Sequence, residues 1–232
     1  MSRIAIISPD ASGEITGNLR ALDLEPVAIP RTGLVERPIS GHPDIQVFVH
    51  ENRIFCHPDI SRSFVAKIEP RAEVILCTTR LSGAYPDDIP YNVACTGSHA
   101  FHHAGSIDPA IREYLSSKNI VLVGVRQGYA KCSTLVVDAG AIVTADRSIH
   151  EAASLHMIES LEISPGSIDL PGYRYGFIGG ATGTLDNMVL CTGTLEHHPD
   201  YKKIAAFISG RGKRLVPLSR RPAVDLGTIL II

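Results

Sequence analysis

Tryptophan is absent from the 232 residues, aromatic residues make up only 6%, and no two cysteines are spaced as CxxC. The last absence removes the thioredoxin-type redox motif and the cysteine-pair zinc sites. The five cysteines (Cys56, Cys77, Cys95, Cys132, Cys191) are odd in number and three of them end apolar runs, which favours reduced thiols in a cytoplasmic protein. Nor is one charge in excess. The formal net charge is −2, and the basic residues are scattered apart from Arg211, Lys213, Arg214, Arg220 and Arg221, so nothing calls for nucleic acid or an anionic membrane. Long apolar runs are missing too: Ile4-Ala5-Ile6-Ile7 is too short for a signal-peptide core and breaks at Pro9, and nothing approaches the ~18 apolar residues of a membrane span.

What is present is a repeat. Apolar runs and the glycines after them recur as strand, glycine loop, strand, helix. One unit runs from Pro26–Ile29 through Gly41-His42-Pro43-Asp44 to Gln46–Val49, Arg53–Cys56 and a helix near Asp59. A second runs from Glu73–Cys77 through Ser82–Tyr85 to Tyr91–Cys95 and a helix from Asp108. The third joins Ile120–Val125, Gln127–Cys132, Thr134–Val137, Ala141–Thr144 and a helix from about Ser148. In the fourth, Tyr175–Ile178 precedes Gly179–Gly183, Asn187–Cys191 and a helix from Pro199. A fifth begins at Arg214–Leu218 and ends at Leu226–Ile232 without a helix, which the N-terminal segment, Ile4–Ile7 followed by Ser12–Leu22, supplies.

This pattern predicts one α/β domain over residues 1–232: a closed β/α propeller of five strand-strand-helix repeats, the fifth completed by both termini, with no open sheet edge. Asp59, Asp108 before Pro109, and Ser148 with Glu151 have the chemistry of helix starts. Apolar faces follow at Ile111, Tyr114, Leu115; at Ala152, Leu155, Ile158; and at Ile204, Phe207, Ile208. An open nucleotide-binding sheet fits less well, because Gly128, Gly179 and Gly183 lead into strands rather than into phosphate-holding helices, and Gly179–Thr184 lacks the P-loop lysine.

Five strand-rich units around a pseudo-fivefold axis resemble the pentein fold, shared by guanidino-group-modifying enzymes and by a ribosome anti-association factor without catalytic activity. Gly41–Asp44, Gly128–Ser133 and Gly179–Gly183 look like motifs of an uncharacterised bacterial family of that fold. The resemblance implies Cys/His chemistry with acidic residues gripping a guanidinium. Pentein enzymes carry the nucleophilic cysteine near the C-terminus, whereas this sequence has Leu226-Gly227-Thr228 there and no cysteine after Cys191.

The loops at the centre of such a ring converge, which makes the polar groups beside their glycines the natural site. Cys132, at a loop-to-strand junction, is the candidate nucleophile, His42 the candidate base, and Asp44 orients His42 or binds a cationic substrate. Lys131, Thr182 and Asp225 are candidate substrate-binding residues, although alternation along a strand would turn Lys131 away from Cys132. An inert packed thiol and a His-Pro-Asp turn are the structural alternatives for Cys132 and for His42 with Asp44. Asp186 reads as a hairpin turn and Asp146 as a helix cap. His99, His102, His103, His197 and His198 offer helical ligand spacing, but no cysteine pair or HExxH accompanies them, so no metal and no cofactor is expected.

The expected function is hydrolysis or transfer at an amidino, guanidino or related C–N group of a small cationic substrate. Self-association into a homo-oligomer is compatible with the sequence. The alternatives are a pentein-fold binding protein that recognises a macromolecule or metabolite, and a metal-dependent hydrolase built on the histidine clusters.

Overall fold

A computed structural model describes residues 3–232; Met1 and Ser2, counted in the expected domain 1–232, lie outside the described residues. β1 (Arg3–Ile7) leads through α1 (Gly13–Ala21) to β2 (Leu24–Ala28), parallel to β1. A single turn, α2 (Pro43–Gln46), delivers β3 (Val47–His50), which forms a hairpin with β4 (Arg53–Cys56). α3 (Arg62–Ile68) then crosses to β5 (Glu73–Leu76), parallel to β4. The same steps give β6 (Ala94–Cys95), β7 (His99–His103), α4 (Pro109–Ser117) and β8 (Val121–Val125). After the one-turn α5 (Ala130–Ser133) come β9 (Thr134–Asp138), β10 (Ala141–Thr144), α6 (Arg147–Leu155) and β11 (Glu159–Glu162). The fourth set is β12 (Thr182–Leu185), β13 (Met188–Cys191), α7 (Tyr201–Gly210) and β14 (Arg214–Pro217). β15 (Leu230–Ile231) returns to pair antiparallel with β1, so the fifth sheet draws its strands from both ends of the chain.

Each of the five sheets has three strands: an antiparallel pair, which is a hairpin in the first four, plus a third strand parallel to the central one. The arrangement follows from connection length, since a short turn can join only antiparallel strands and a parallel pair needs a helical crossover.

Helix packing makes the series cyclic. Alternate residues of each central strand point to opposite faces, and both faces are covered. In β4, Ile54 and Cys56 pack with Phe64 and Ile68 of α3, while Phe55 packs with Ile111 and Leu115 of α4. In β10, Ile142 meets Ile149 and Ala153 of α6, while Val143 meets Ile204 and Ile208 of α7. Leu190 of β13 lies against Ile15 and Leu19 of α1, and Ile4 and Ile6 of β1 lie against α3. Each of the five crossover helices, α1, α3, α4, α6 and α7, is thus wedged between its own sheet and the preceding one, and α1 and α3 close the round. Each fully buried leucine or isoleucine in these seams contributes about 1.5–3 kcal/mol.

Several boundaries differ from the sequence reading. Glu73–Leu76 and Arg214–Pro217 complete the first and fourth sheets rather than opening the next units. The expected strand at Tyr175–Ile178 is loop, and Glu159–Glu162 is the third strand of its sheet instead. His99–His103 is a strand, so the helical spacing considered for its histidines does not arise. Asp108 caps α4 as expected, and Asp146, read as a helix cap, caps α6 in place of Ser148: its carboxylate accepts from Ile149 N–H at 3.0 Å and from the Ser148 hydroxyl at 2.6 Å. Leu155 is 84% exposed, because the buried face of α6 is formed by Ile149 and Ala153.

Gly183 in β12 has no room for a side chain. A methyl group there would overlap the Ile229 carbonyl oxygen where the fourth and fifth units meet. Gly17, mid-way along α1, has open space. Gly183→Ala is therefore expected to lose about 2 kcal/mol or more and ~4–8 °C in Tm, and Gly17→Ala to gain ~0.5–1 kcal/mol. Urea and thermal denaturation of the two variants check this; equal responses would disprove the tight seam.

Candidate active site

The turns that precede the first strand of all five sheets meet, joined by a closed circuit of hydrogen bonds. Asn92 Nδ2 donates to the Asp44 carbonyl at 3.1 Å, and Asn92 Oδ1 accepts from the amides of Lys131 at 2.6 Å and Cys132 at 3.3 Å. Gly180 N–H donates to the Cys132 carbonyl and Thr228 N–H to the Gly180 carbonyl, both at 2.8 Å. Asp44 N–H donates to the Gly227 carbonyl at 3.2 Å, which returns to the first unit. Gly180 is obligatory here, since a methyl group would run into the Asp225 carboxylate.

Functional side chains hang from this circuit. The Cys132 thiol donates to Asp44 Oδ2 at 3.1 Å and accepts from Asn92 Nδ2 at 3.2 Å. Thr228 Oγ1, on a residue held at φ 70°, donates to the same Asp44 oxygen at 2.6 Å. That left-handed backbone is unusual for a β-branched residue and fixes the hydroxyl against the carboxylate. Asp225 accepts from Phe177 N–H at 2.9 Å and Gly227 N–H at 3.0 Å, and its Oδ1 lies 3.7 Å from His42 Nδ1. Cys132, His42, Asp44 and Asp225 are each no more than 3% exposed, yet His42 Nδ1 and Asp44 Oδ1 have no hydrogen-bond partner among the described residues.

His42, Cys132 and Asp225 face a cavity of about 250 Å³ whose other walls include Tyr129, Tyr173, Tyr175 and Phe177. Most of that wall comes from the long loop between β11 and β12. A second cavity of about 520 Å³ reaches His42 and Asp225 from the side of Arg31 and Arg37.

Residues 6–230 match a family of unknown function, DUF6873. The chain belongs to that family. No curated protein matches the DUF6873 chain in sequence. Its fold is that of the guanidino-modifying pentein enzymes. Agmatine deiminase of C. jejuni superposes with a TM-score of 0.56 at 8% identity, over 98% of this chain and 81% of that one. Dimethylarginine dimethylaminohydrolase of Pseudomonas aeruginosa, a cysteine-to-serine variant complexed with citrulline, gives a TM-score of 0.58 at 11% identity, over 99% and 96%. Inosamine-phosphate amidinotransferase of Streptomyces griseus gives a TM-score of 0.57 at 11% identity, over 92% and 75%. Among the described residues of the DUF6873 chain, no helix is long and apolar enough to cross a membrane.

Of the residues singled out by sequence, His42, Asp44, Cys132 and Asp225 come together in the DUF6873 protein. Asp44 touches the thiol rather than His42, and Asp225 stands beside the imidazole. Lys131 lies on a helical turn, so strand alternation does not separate it from Cys132; burial lowers its pKa, while Asp44, Cys132 and Asp225 oppose that shift. Thr182 sits apart from the cavity wall, fully buried at the start of β12, its hydroxyl donating to the Ile178 carbonyl at 2.8 Å. Asn92, Thr228 and Tyr129 were not singled out. Asn92 occupies in the second unit the place that Asp44 and Cys132 occupy in theirs, and aligning the repeats on their strands would have exposed it.

Burial, reinforced by the charges of Asp44 and Asp225, pushes the Cys132 thiol well above its ordinary pKa, so without a ligand it is a thiol. Burial and Asp44 also raise the Asp225 carboxyl to about 6, against His42 and the two amides that favour its charge. The folded state thus holds this proton more tightly than the unfolded chain, for which 3.8 is the reference. The resulting stabilisation is complete below pH ~4 and disappears as pH rises through ~6, a swing on the order of 3 kcal/mol. Asp225→Asn lacks that swing, and its lost acceptor costs the same at every pH. Between pH 4 and 7 the variant should therefore gain on wild type by that amount in urea denaturation; parallel pH profiles would refute the raised pKa.

Proposed function

We propose that the protein is a cysteine-dependent enzyme acting on the amidino or guanidino carbon of a small cationic substrate. One observation carries this reading: a thiol facing an aromatic cavity has one buried carboxylate against it and a second beside the neighbouring imidazole, and Asp44 Oδ1 and His42 Nδ1 lack partners among the described residues. Buried polar atoms are ordinarily satisfied, so these two atoms fit a ligand that donates hydrogen bonds and brings positive charge. A planar guanidinium does both, and it is attracted to the faces of aromatic rings such as those of Tyr129, Tyr173, Tyr175 and Phe177. The fold shared with agmatine deiminase, dimethylarginine dimethylaminohydrolase and an amidinotransferase is consistent with such a ligand.

The chemistry follows from charge. An incoming cation held by Asp44 and Asp225 offsets the two carboxylates that disfavour the thiolate, and the Cys132 proton passes to His42. The thiolate then forms an S–C bond to the guanidino carbon. His42 returns the proton to the departing amine as the C–N bond breaks, leaving an S-amidino cysteine. Water, deprotonated by His42, releases a ureido product; an amine acceptor in place of water would complete an amidino transfer.

Arginine, agmatine and N-methylated arginines form a sufficient panel, read by intact mass for adducts on Cys132 and by colorimetry for ureido products. At least one compound is expected to turn over, with Cys132→Ser lowering the rate by ~10³-fold or more and abolishing the adduct, and His42→Ala slowing both the formation of the adduct and its release. A panel giving no adduct, product or thermal shift would sink the proposal. The productive ligand should raise Tm by about 5–10 °C at a hundredfold excess over Kd, and by more at pH 8 than at pH 5.5, because Asp225 ionises near pH 6. A larger shift at the lower pH would contradict the role given to Asp225.

A further inference from the structure

The side chains around Cys132 also satisfy a different requirement. A ring nitrogen of His42, a carboxylate oxygen of Asp44 and the Cys132 sulfur all lie within 4.8 Å of one another, and all three residues are buried. Zn2+ bonds of ~2.0–2.3 Å place neighbouring ligand atoms about 3.4–3.8 Å apart on a tetrahedron, so a small inward movement of the three suffices.

We propose that His42, Asp44 and Cys132 bind one thiophilic divalent cation, with Zn2+ the best match, whose fourth coordination position opens into the aromatic cavity. The donor set decides the metal class. Thiolate and imidazole with a single carboxylate favour Zn2+ over Mg2+ or Ca2+, which require several oxygens. Each ligand is held from behind. Asn92 Nδ2 supports the sulfur at 3.2 Å, Thr228 Oγ1 supports the Asp44 carboxylate at 2.6 Å, and Asp225 stands 3.7 Å from His42 Nδ1, where a carboxylate commonly orients a metal-bound imidazole. Binding forms the metal–sulfur bond and releases the thiol proton to solvent. The +2 charge is then met by one thiolate and one carboxylate, which removes the cost of burying them unpaired.

The inference stands apart from the guanidino chemistry, although the two would compete: a metal in this position caps the nucleophile and fills the space of a cationic head group. It also moves the metal question away from the histidine-rich segments. His99–His103 is a strand, and the His198 Nδ1 is occupied by the Asp200 amide at 3.0 Å.

Titration of chelator-stripped protein with Co2+ tests the site. One equivalent should give a near-ultraviolet sulfur-to-cobalt charge-transfer band and the intense visible bands of tetrahedral cobalt, both erased by equimolar Zn2+. Cys132→Ser should lose the charge-transfer band, His42→Ala and Asp44→Asn should weaken binding at least ~10-fold, and His99→Ala and His197→Ala should change nothing. Far-UV circular dichroism establishes that each variant is folded, and Asn92→Ser gives a second reading that leaves every ligand in place while weakening the support of the sulfur. Wild-type protein without the band, or a band that survives in folded Cys132→Ser, overturns the site. A guanidino adduct on Cys132 in protein that ignores cobalt would dismiss the metal and leave the enzymatic reading intact; cobalt binding without any adduct would do the reverse.

Discussion

The molecule depends on a circuit of main-chain and amide hydrogen bonds that passes once through every unit, from Asp44 to Asn92, Cys132, Gly180, Thr228 and back. No local segment can make these bonds alone. They require five sheets in cyclic order, and the five wedged helices hold that order by burying both faces of each central strand. The circuit in turn brings a thiol, an imidazole and the Asp225 carboxylate, distant in sequence, to one aromatic cavity, with the Asp44 carboxylate against the thiol.

The electrostatics follow from the same geometry. Placing Asp44, Asp225 and Cys132 together in a low-dielectric interior is unfavourable, and it persists because the amides of Phe177 and Gly227, the Thr228 hydroxyl and Asn92 are fixed around them. Lys131, half-buried, has its own charge disfavoured by burial and compensates only in part. A centre of this kind favours positive charge, which is the property that both proposals use, one for a planar organic cation and the other for a metal ion.

Much of the architecture was legible because each repeat carries its own punctuation. Apolar runs of four or five residues, glycine loops and Asp or Ser helix starts mark the units, and the split fifth repeat could be read from a final run without a helix. The helices were read less well. Leu155 fits an apolar stripe by spacing, yet only the neighbouring sheet decides which stripe is buried. Strands such as His99–His103 and Glu159–Glu162 were missed because polar residues dominate their composition; propensity and pattern failed where tertiary pairing prevailed. In the site, His42, Asp44, Cys132 and Asp225 could be found as polar residues beside loop glycines. Asn92 was hidden in an apolar stretch, and its role comes from a position in the repeat rather than from any motif. Which carboxylate faces the thiol and which faces the imidazole is a property of the closed circuit alone.

The split fifth sheet has a consequence for how the chain comes into being. β1 is translated more than two hundred residues before β15, its antiparallel partner. Throughout elongation the apolar edge at Ala5 and Ile6 is a vacant template, open to any extended segment nearby. Asp225 and Thr228 also leave the ribosome after the other participants, so Cys132 spends that interval without its finished surroundings. Any factor that shields nascent chains would meet the β1 edge long before there is a site to protect.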